Sequence, residues 1–328
     1  MIKRASTSTA IVLAAASLAA HAEVTPYGKV DLGIVQESGG AGGDVTKLSS
    51  GAMAPSRFGV KAIFDLGDGL KAKGQFETGV CADSNNNPAG QYCTAGTFMG
   101  RKATLGLEGA FGEVSLGRQF TPAYLNLDSF DPFSTGTAGQ ATNIFHTVLR
   151  ANNAIIYSMP TLNGVTGSVM YAFGEVQGNN TANRQIGASL GYALGALTLG
   201  AAYNEQRAAD STATKDGNLG AVYDFGVATL NALFERTTGK SQYLIGTTVP
   251  AGGGTVMASY VHVQDRSAAG NDASQVGVGY TRPFNKALKG YVAYAHISNK
   301  NGAAYTVGNA TDDGSGDNAF NVGLVLSF

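Results

Sequence analysis

The sequence predicts an all-β fold, a sixteen-stranded antiparallel β-barrel that crosses a membrane. Three observations carry this. Runs of about ten residues alternate apolar with polar or charged side chains from residue 24 to the last residue, and we count about sixteen of them. The connections between them alternate in length, short at 66–69, 109–112, 162–164, 194–195, 224–226 and 251–253, long and polar at 37–55, 81–96, 175–183, 206–216, 264–272 and 299–316. Beyond the N-terminal segment there is no run of 18 apolar residues, so a helical span is ruled out and closed strands must do the crossing.

Residues 1–22 read as a secretory signal, with Lys3 and Arg4 as the positive region, an apolar core at 11–18 and Ala20-His21-Ala22 as a small-x-small cleavage site. The barrel is assigned to 23–328. Its first strand carries Val30, Leu32 and Ile34 on one parity and Lys29 and Asp31 on the other. In the next, Phe58, Val60, Ala62, Phe64 and Leu66 oppose Arg57, Lys61 and Asp65. After Gly67-Asp68-Gly69, Leu70, Ala72 and Phe76 oppose Lys71, Lys73, Gln75 and Glu77. Lys102 falls opposite Ala103, Leu105 and Leu107, which puts it with the lumen-facing set. Arg118 is awkward, because it shares parity with Val114 and Leu116; a bulge or the end of pairing would have to turn it inward. The last strand, Phe320, Val322, Leu324, Leu326 and Phe328 against Asn321 and Ser327, ends on an aromatic.

Between the strand ending at Phe120 and the one opening at Arg150 lie about thirty residues in which neither period holds. They include Phe130, Phe133, Ile144 and Phe145, too much apolar surface for a solvated linker. Cys81 and Cys93, the only cysteines of an exported chain, bracket a polar turn-forming cluster and read as a disulfide. Two cysteines with no further ligands nearby argue against a metal site, and no cofactor is expected.

Of the 328 residues 44% are hydrophobic and only 14% charged, with 46 Gly and no Trp, a composition of strands and tight turns. The formal charge is −1, and loss of Lys3 and Arg4 with the signal leaves 20 basic and 23 acidic residues, so nucleic acid is not a partner suggested by charge. A soluble β-sandwich would also alternate, but would need a domain break that residues 23–328 do not show. An enzyme would need a nucleophile and base together; His146, His262 and His296 lie apart, with no serine elbow or carboxylate pair beside them.

Tyr27-Gly28-Lys29-Val30-Asp31, Ser56-Arg57-Phe58-Gly59-Val60-Lys61-Ala62, Leu116-Gly117-Arg118-Gln119-Phe120, Asp131-Pro132-Phe133, Arg150 with Asn152-Asn153, and the terminal Phe328 stand in an order and spacing that resembles the trimeric general porins of Gram-negative outer membranes, nearest the betaproteobacterial and neisserial type. The resemblance covers essentially the whole mature chain. It implies a homotrimer in the outer membrane, in contact with lipid and lipopolysaccharide, passing small hydrophilic solutes and ions through a water-filled channel, with a substrate-specific channel as the alternative. It implies a third loop folded into the barrel, arginines Arg57, Arg118 and Arg150 on the wall, loop acids Asp128 and Asp131 facing them, and Phe328 as an assembly signal. With Lys61, Lys73 and Lys102 on lumen parity, and Asp65 and Glu77 on the strands, the local balance is positive. Charges of the outer loops lie beyond a Debye length of about 8 Å and are screened, so a weak anion preference is expected.

Overall fold

The structure, a computed structural model, describes residues 22–40, 42–84, 98–307 and 316–328. Alternation of side chains becomes a single sheet of strands β1 (Ala22–Ser38), β2 (Val45–Ser50), β3 (Arg57–Gly67), β4 (Leu70–Gly79), β5 (Lys102–Gly109), β6 (Gly112–Phe120), β7 (Arg150–Ser158), β8 (Val165–Ala172), β9 (Gln185–Leu194), β10 (Leu197–Arg207), β11 (Ala213–Asp224), β12 (Thr229–Thr237), β13 (Lys240–Ala251), β14 (Gly254–Asp265), β15 (Ala273–Pro283), β16 (Leu288–Asn299) and β17 (Asn318–Ser327). Pairing is antiparallel throughout, and β17 returns to β1 with Lys29 opposite Ser327, which closes the sheet and leaves no edge.

Seventeen segments make a sixteen-stranded barrel because β2 and β3 are halves of one strand. Both pair with β1, β2 against residues 32–37 and β3 against residues 22–29. The sequence-based assignment of 37–55 as one long connection is therefore corrected, since residues 37–38 and 45–50 are ladder. The break between the halves has a cause in Asp31, which is fully buried. Its Oδ2 accepts the N–H groups of Met53 and Ala54, each at 2.7 Å, and its Oδ1 accepts the Tyr291 hydroxyl at 2.8 Å. A carboxylate holding two consecutive amides bends the chain away from the ladder at 51–56.

Burial is inverted relative to a soluble sheet. Along β17, Phe320, Val322, Leu324 and Leu326 are exposed while Asn321 is buried; along β15, Val276 and Val278 are exposed while Gln275 is buried. An apolar face turned out over the whole circuit and a polar face turned in is the pattern of a barrel wall in lipid.

The segment between β6 and β7 has structure of its own. Helix α1 (Pro122–Phe130) starts with Pro122 in its first turn and Thr121 as cap, whose Oγ1 accepts the Tyr124 N–H at 3.1 Å; such a cap is worth about 1 kcal/mol. Its apolar residues answer the question the sequence raised: Leu127, Phe130, Ile144 and Phe145 form one buried cluster with Leu233, Leu244, Val261, Val263 and Ile297, side chains on the face opposite the exposed band. Amides of the same face fasten the segment's backbone. Asn231 donates to the Phe130 carbonyl, Gln242 to that of Ile144 and Gln275 to those of Gly139 and Gln140, while Asn321 Oδ1 accepts the Ala138 N–H. Phe130 lies on Gly200 and Gly220, where a Cβ would overlap its ring.

Residues 1–21 of the expected signal, and Cys93 of the expected disulfide, lie outside the described residues. Cys81 carries no free thiol. The terminal Phe328 exchanges both backbone hydrogen bonds with Gly28, at 2.9 and 3.1 Å.

Candidate functional site

A cavity of about 1010 Å³ opens between the 121–149 segment and the wall of β1 and β3–β7. Three guanidinium groups line it, those of Arg57, Arg101 and Arg150, with Lys29 beside them; the acids in its lining are Glu77 and Asp128. Four fixed cations against two acids leave the space positive, and guanidinium does not give up its proton in a protein.

Each arginine is held differently. Arg101 is buried and donates from Nε to Glu77 Oε1 at 2.8 Å, while its backbone N–H reaches the Glu77 carbonyl at 3.1 Å. Arg57 Nε stands 3.7 Å from Glu77 Oε2, which also accepts the Tyr27 hydroxyl at 2.9 Å. Glu77 thus serves two arginines and a tyrosine with one negative charge. Arg150 has no carboxylate partner among the described residues; its guanidinium lies 4.4 Å from the centre of the Phe120 ring, and its buried Nε makes no hydrogen bond. Phe120 in turn stacks on Tyr124 at 5.0 Å, so the first turn of α1 supports the arginine through two rings.

The loop faces this wall with Asp128, whose Oδ1 accepts the Thr135 hydroxyl at 2.6 Å; burial pushes its carboxyl above the ordinary value, and the Thr135 bond opposes that. Asp131, expected as a second lining acid, has another place. It is buried, absent from the lining, and accepts the backbone N–H groups of Phe133, Thr135 and Ala141 at 3.0, 3.1 and 2.9 Å. Burial pushes it up to about 6 against the pull of those three bonds. Asp131 shapes the loop that Asp128 projects from.

The remaining sequence-derived residues spread down the same wall. Lys61 Nζ lies 4.9 Å over the Tyr27 ring, and Lys102 sits among Glu77, Glu113, Lys61 and Lys73. Lys73 is farther off, near the short turns, gripped by Glu108 at 2.7 Å and Glu113 at 2.5 Å, so its charge is spent locally. Arg118 is a correction. Of the two irregularities its parity allowed, a bulge or an end of pairing, the structure has the bulge, with the β6–β7 register shifting between Gly117 and Gln119 and Gly117 at φ +118°. Yet the side chain does not join the lining: Nε donates to the Gly100 carbonyl and Nη1 to Asn152 Oδ1. It braces the turn that carries Arg101.

Arg101 is what sequence reasoning missed. Parity counted from Ala103 would turn it outward, but it precedes β5, which begins at Lys102, so no ladder governs its direction. The available signal was a second cation, adjacent to Lys102, following Gly100. Lys29 was visible on the charged parity of β1 without being assigned a role.

A family model described as Gram-negative porin matches residues 7–302. Outer membrane porin protein 32 of Delftia acidovorans is 32% identical over 91% of this chain and 90% of its own length. Major outer membrane protein P.IB of Neisseria gonorrhoeae is 28% identical over 54% of this chain and 51% of its own. Among solved structures, an anion-selective porin from Comamonas acidovorans superimposes with a TM-score of 0.82 at 29% identity, covering 94% of this chain and 100% of that one. A closed barrel with an apolar outer band and a charged, loop-covered cavity on its wall, matched along most of its length by channel proteins and not by enzymes, belongs to the Gram-negative porin family and resides in the outer membrane.

Proposed function

We propose that this porin is weakly anion-selective, and that its selectivity is set where the 121–149 segment folds into the lumen and narrows it. The constriction is built from Arg57, Arg101 and Arg150 on the wall, with Glu77 between them and Asp128 across the gap. Lys61 and Lys102 continue the positive wall toward the short turns. The observation that carries this reading is the unequal charge of one cavity, in which Lys29 and three arginines face two acids and Arg150 has no acidic partner among the described residues. Fixed charges act strongly through a narrow film of water, whereas charges of the outer loops are screened over about 8 Å. An anion passing the gap finds donors already in place, and a cation finds Asp128 alone free of an ion pair.

The same reading takes the barrel as one of three in a homotrimer, the mature chain as beginning after residue 22, and Phe328 as the terminal aromatic that the assembly machinery reads. The test of selectivity is the reversal potential of the reconstituted channel in a potassium chloride gradient. The wild type is expected to favour chloride, and Arg57→Ala and Arg150→Ala each to move the potential toward cation preference. A wild type that favours potassium, or no shift in either variant, overturns the assignment.

A further inference from the structure

Beneath the 121–149 segment, on the part of the wall formed by β11–β13, stand two acids that line no part of the cavity. Glu235 on β12 is fully buried and Asp216 on β11 is buried. The ladder sets Glu235 opposite Asn218 on one side and opposite Gln242 on the other, and Asp216 is two residues along from Asn218 on the same face. Directly opposed side chains have Cβ atoms about 5 Å apart and diagonal ones about 7 Å, still within reach of a long side chain.

The two outer members of this row clamp the segment. Asn218 Oδ1 accepts the Asn126 amide of α1 at 2.6 Å and its Nδ2 donates to the Ala123 carbonyl at 3.2 Å, while Gln242 Nε2 donates to the Ile144 carbonyl at 2.9 Å. Glu235, between them, makes no hydrogen bond with either oxygen. The bond to Ile144 commits the Gln242 nitrogen, so its fully buried Oε1 is the atom left without a donor. Asp216 gives Oδ1 to the Asn204 amide at 2.9 Å and leaves Oδ2 without a partner. Four acceptor oxygens on three adjacent strands, Glu235 Oε1 and Oε2, Gln242 Oε1 and Asp216 Oδ2, are therefore buried together without a donor.

Buried acceptors are nearly always paired, and an unpaired buried carboxylate is costly. No side-chain cation answers here: among the described residues neither acid has an ion pair, and Lys240, which opens β13, is held by the Tyr305 hydroxyl at 2.5 Å. His146 of the segment lies near Asp216 but is exposed, and the two carboxylates act on each other as like charges. A single proton supplies one donor and leaves three of the oxygens as they are. A divalent cation satisfies all of them at once. A set made only of carboxylate and amide oxygens suits a hard ion that takes about six to eight oxygens in flexible geometry, which is calcium; magnesium keeps its waters and demands a strict octahedron.

We propose that Glu235, Asp216 and Gln242 form a calcium site between the barrel wall and the 121–149 segment, and that the bound ion ties the segment to the wall beside Ile144. Two carboxylates match the charge of the ion, so the buried set carries no net charge. The probe is calcium itself. Folding the chain from denaturant into neutral detergent gives protein free of lipopolysaccharide, which would bind divalent ions of its own. After treatment with EDTA, the folded protein is titrated with calcium chloride in equilibrium dialysis, and amide exchange of residues 142–147 is followed with and without the ion.

The wild type should take up one calcium ion per chain, magnesium should compete at least about tenfold less well, and exchange of residues 142–147 should slow by about fivefold or more. Glu235→Gln, which keeps the shape and removes the charge, should bind calcium at least about tenfold more weakly and lose the effect on exchange. Should that variant fail to fold, Asp216→Asn, which keeps an oxygen for Asn204, decides the matter by an expected weakening of about fivefold. No saturable binding by the wild type, equal competition by magnesium, exchange indifferent to calcium, or undiminished binding in whichever variant folds would overturn the site.

Discussion

The inner face of the barrel has two halves that hold charge and backbone in opposite ways. From β10 to β17 it presents mostly amides, glycines and apolar side chains, with the acids Asp216 and Glu235 buried among them, and Asn231, Gln242, Gln275 and Asn321 bond the backbone of the 121–149 segment. From β3 to β7 it presents Arg57, Arg101 and Arg150, which line the cavity beside that segment. Neutral amides can be buried once their hydrogen bonds are made, so they suit the half that is covered. Guanidinium groups keep water or an acid nearby, so they suit the half left open. The difference teaches that anchoring and filtering are separate functions of opposite walls, and that substitutions on each should fail in different ways.

The largest effect should come from the covered half. Gly220→Val places a side chain where the Phe130 ring lies, which would lift α1 off the wall and change single-channel conductance by about twofold or more. An unchanged conductance would show that the segment is not held there. On the open half, Arg101→Ala should shift the reversal potential toward cations as much as Arg57→Ala does, while conductance changes less than in Gly220→Val. Arg118→Ala should shift it less than either, because that guanidinium braces the Gly100 carbonyl instead of facing the cavity. Equal shifts for Arg101→Ala and Arg118→Ala would erase the distinction.

A smaller effect separates the loop's own scaffold from both walls. Asp131 is held up at about 6 by burial, above an unfolded value of about 4, so the folded loop binds its proton more tightly than the unfolded chain does. Its contribution to loop stability is full below the unfolded value and is lost as pH rises through about 6. Amide exchange of residues 131–141 should therefore be slower at pH 5 than at pH 7 after correction for intrinsic rates, and Asp131→Asn should flatten the difference. The smallest effect on the channel should come from the long loop after β4. We propose that Cys81 pairs with Cys93; closing so short a loop is worth about 3 kcal/mol at most, and Cys93→Ser should leave selectivity unchanged. Peptide mass spectrometry without reduction checks the pairing directly.

Much of this molecule could be read in advance, and the boundary is a physical one. Strand parity depends only on the two-residue repeat of an extended chain, so the alternation of Phe58 to Leu66 against Arg57 and Lys61, or of Phe320 to Leu326 against Asn321, fixes both faces and the barrel before any contact is known. The same repeat exposed Arg118 as an anomaly that called for a bulge or an end of pairing, and the register shifts between Gly117 and Gln119. Where the ladder stops, the repeat carries no information. Arg101 stands one residue before β5, Asp131 lies in a loop whose turns close on its carboxylate, and the 45–50 half-strand is detached from β3 because Asp31 captures two amides at 53 and 54. Those assignments were set by hydrogen bonds between residues far apart in the chain or outside any regular period. The sequence by itself determined the barrel, its membrane-facing surface and the identity of most cations; only the tertiary structure decided which of them share a cavity, because direction outside a ladder is chosen by partners and not by position.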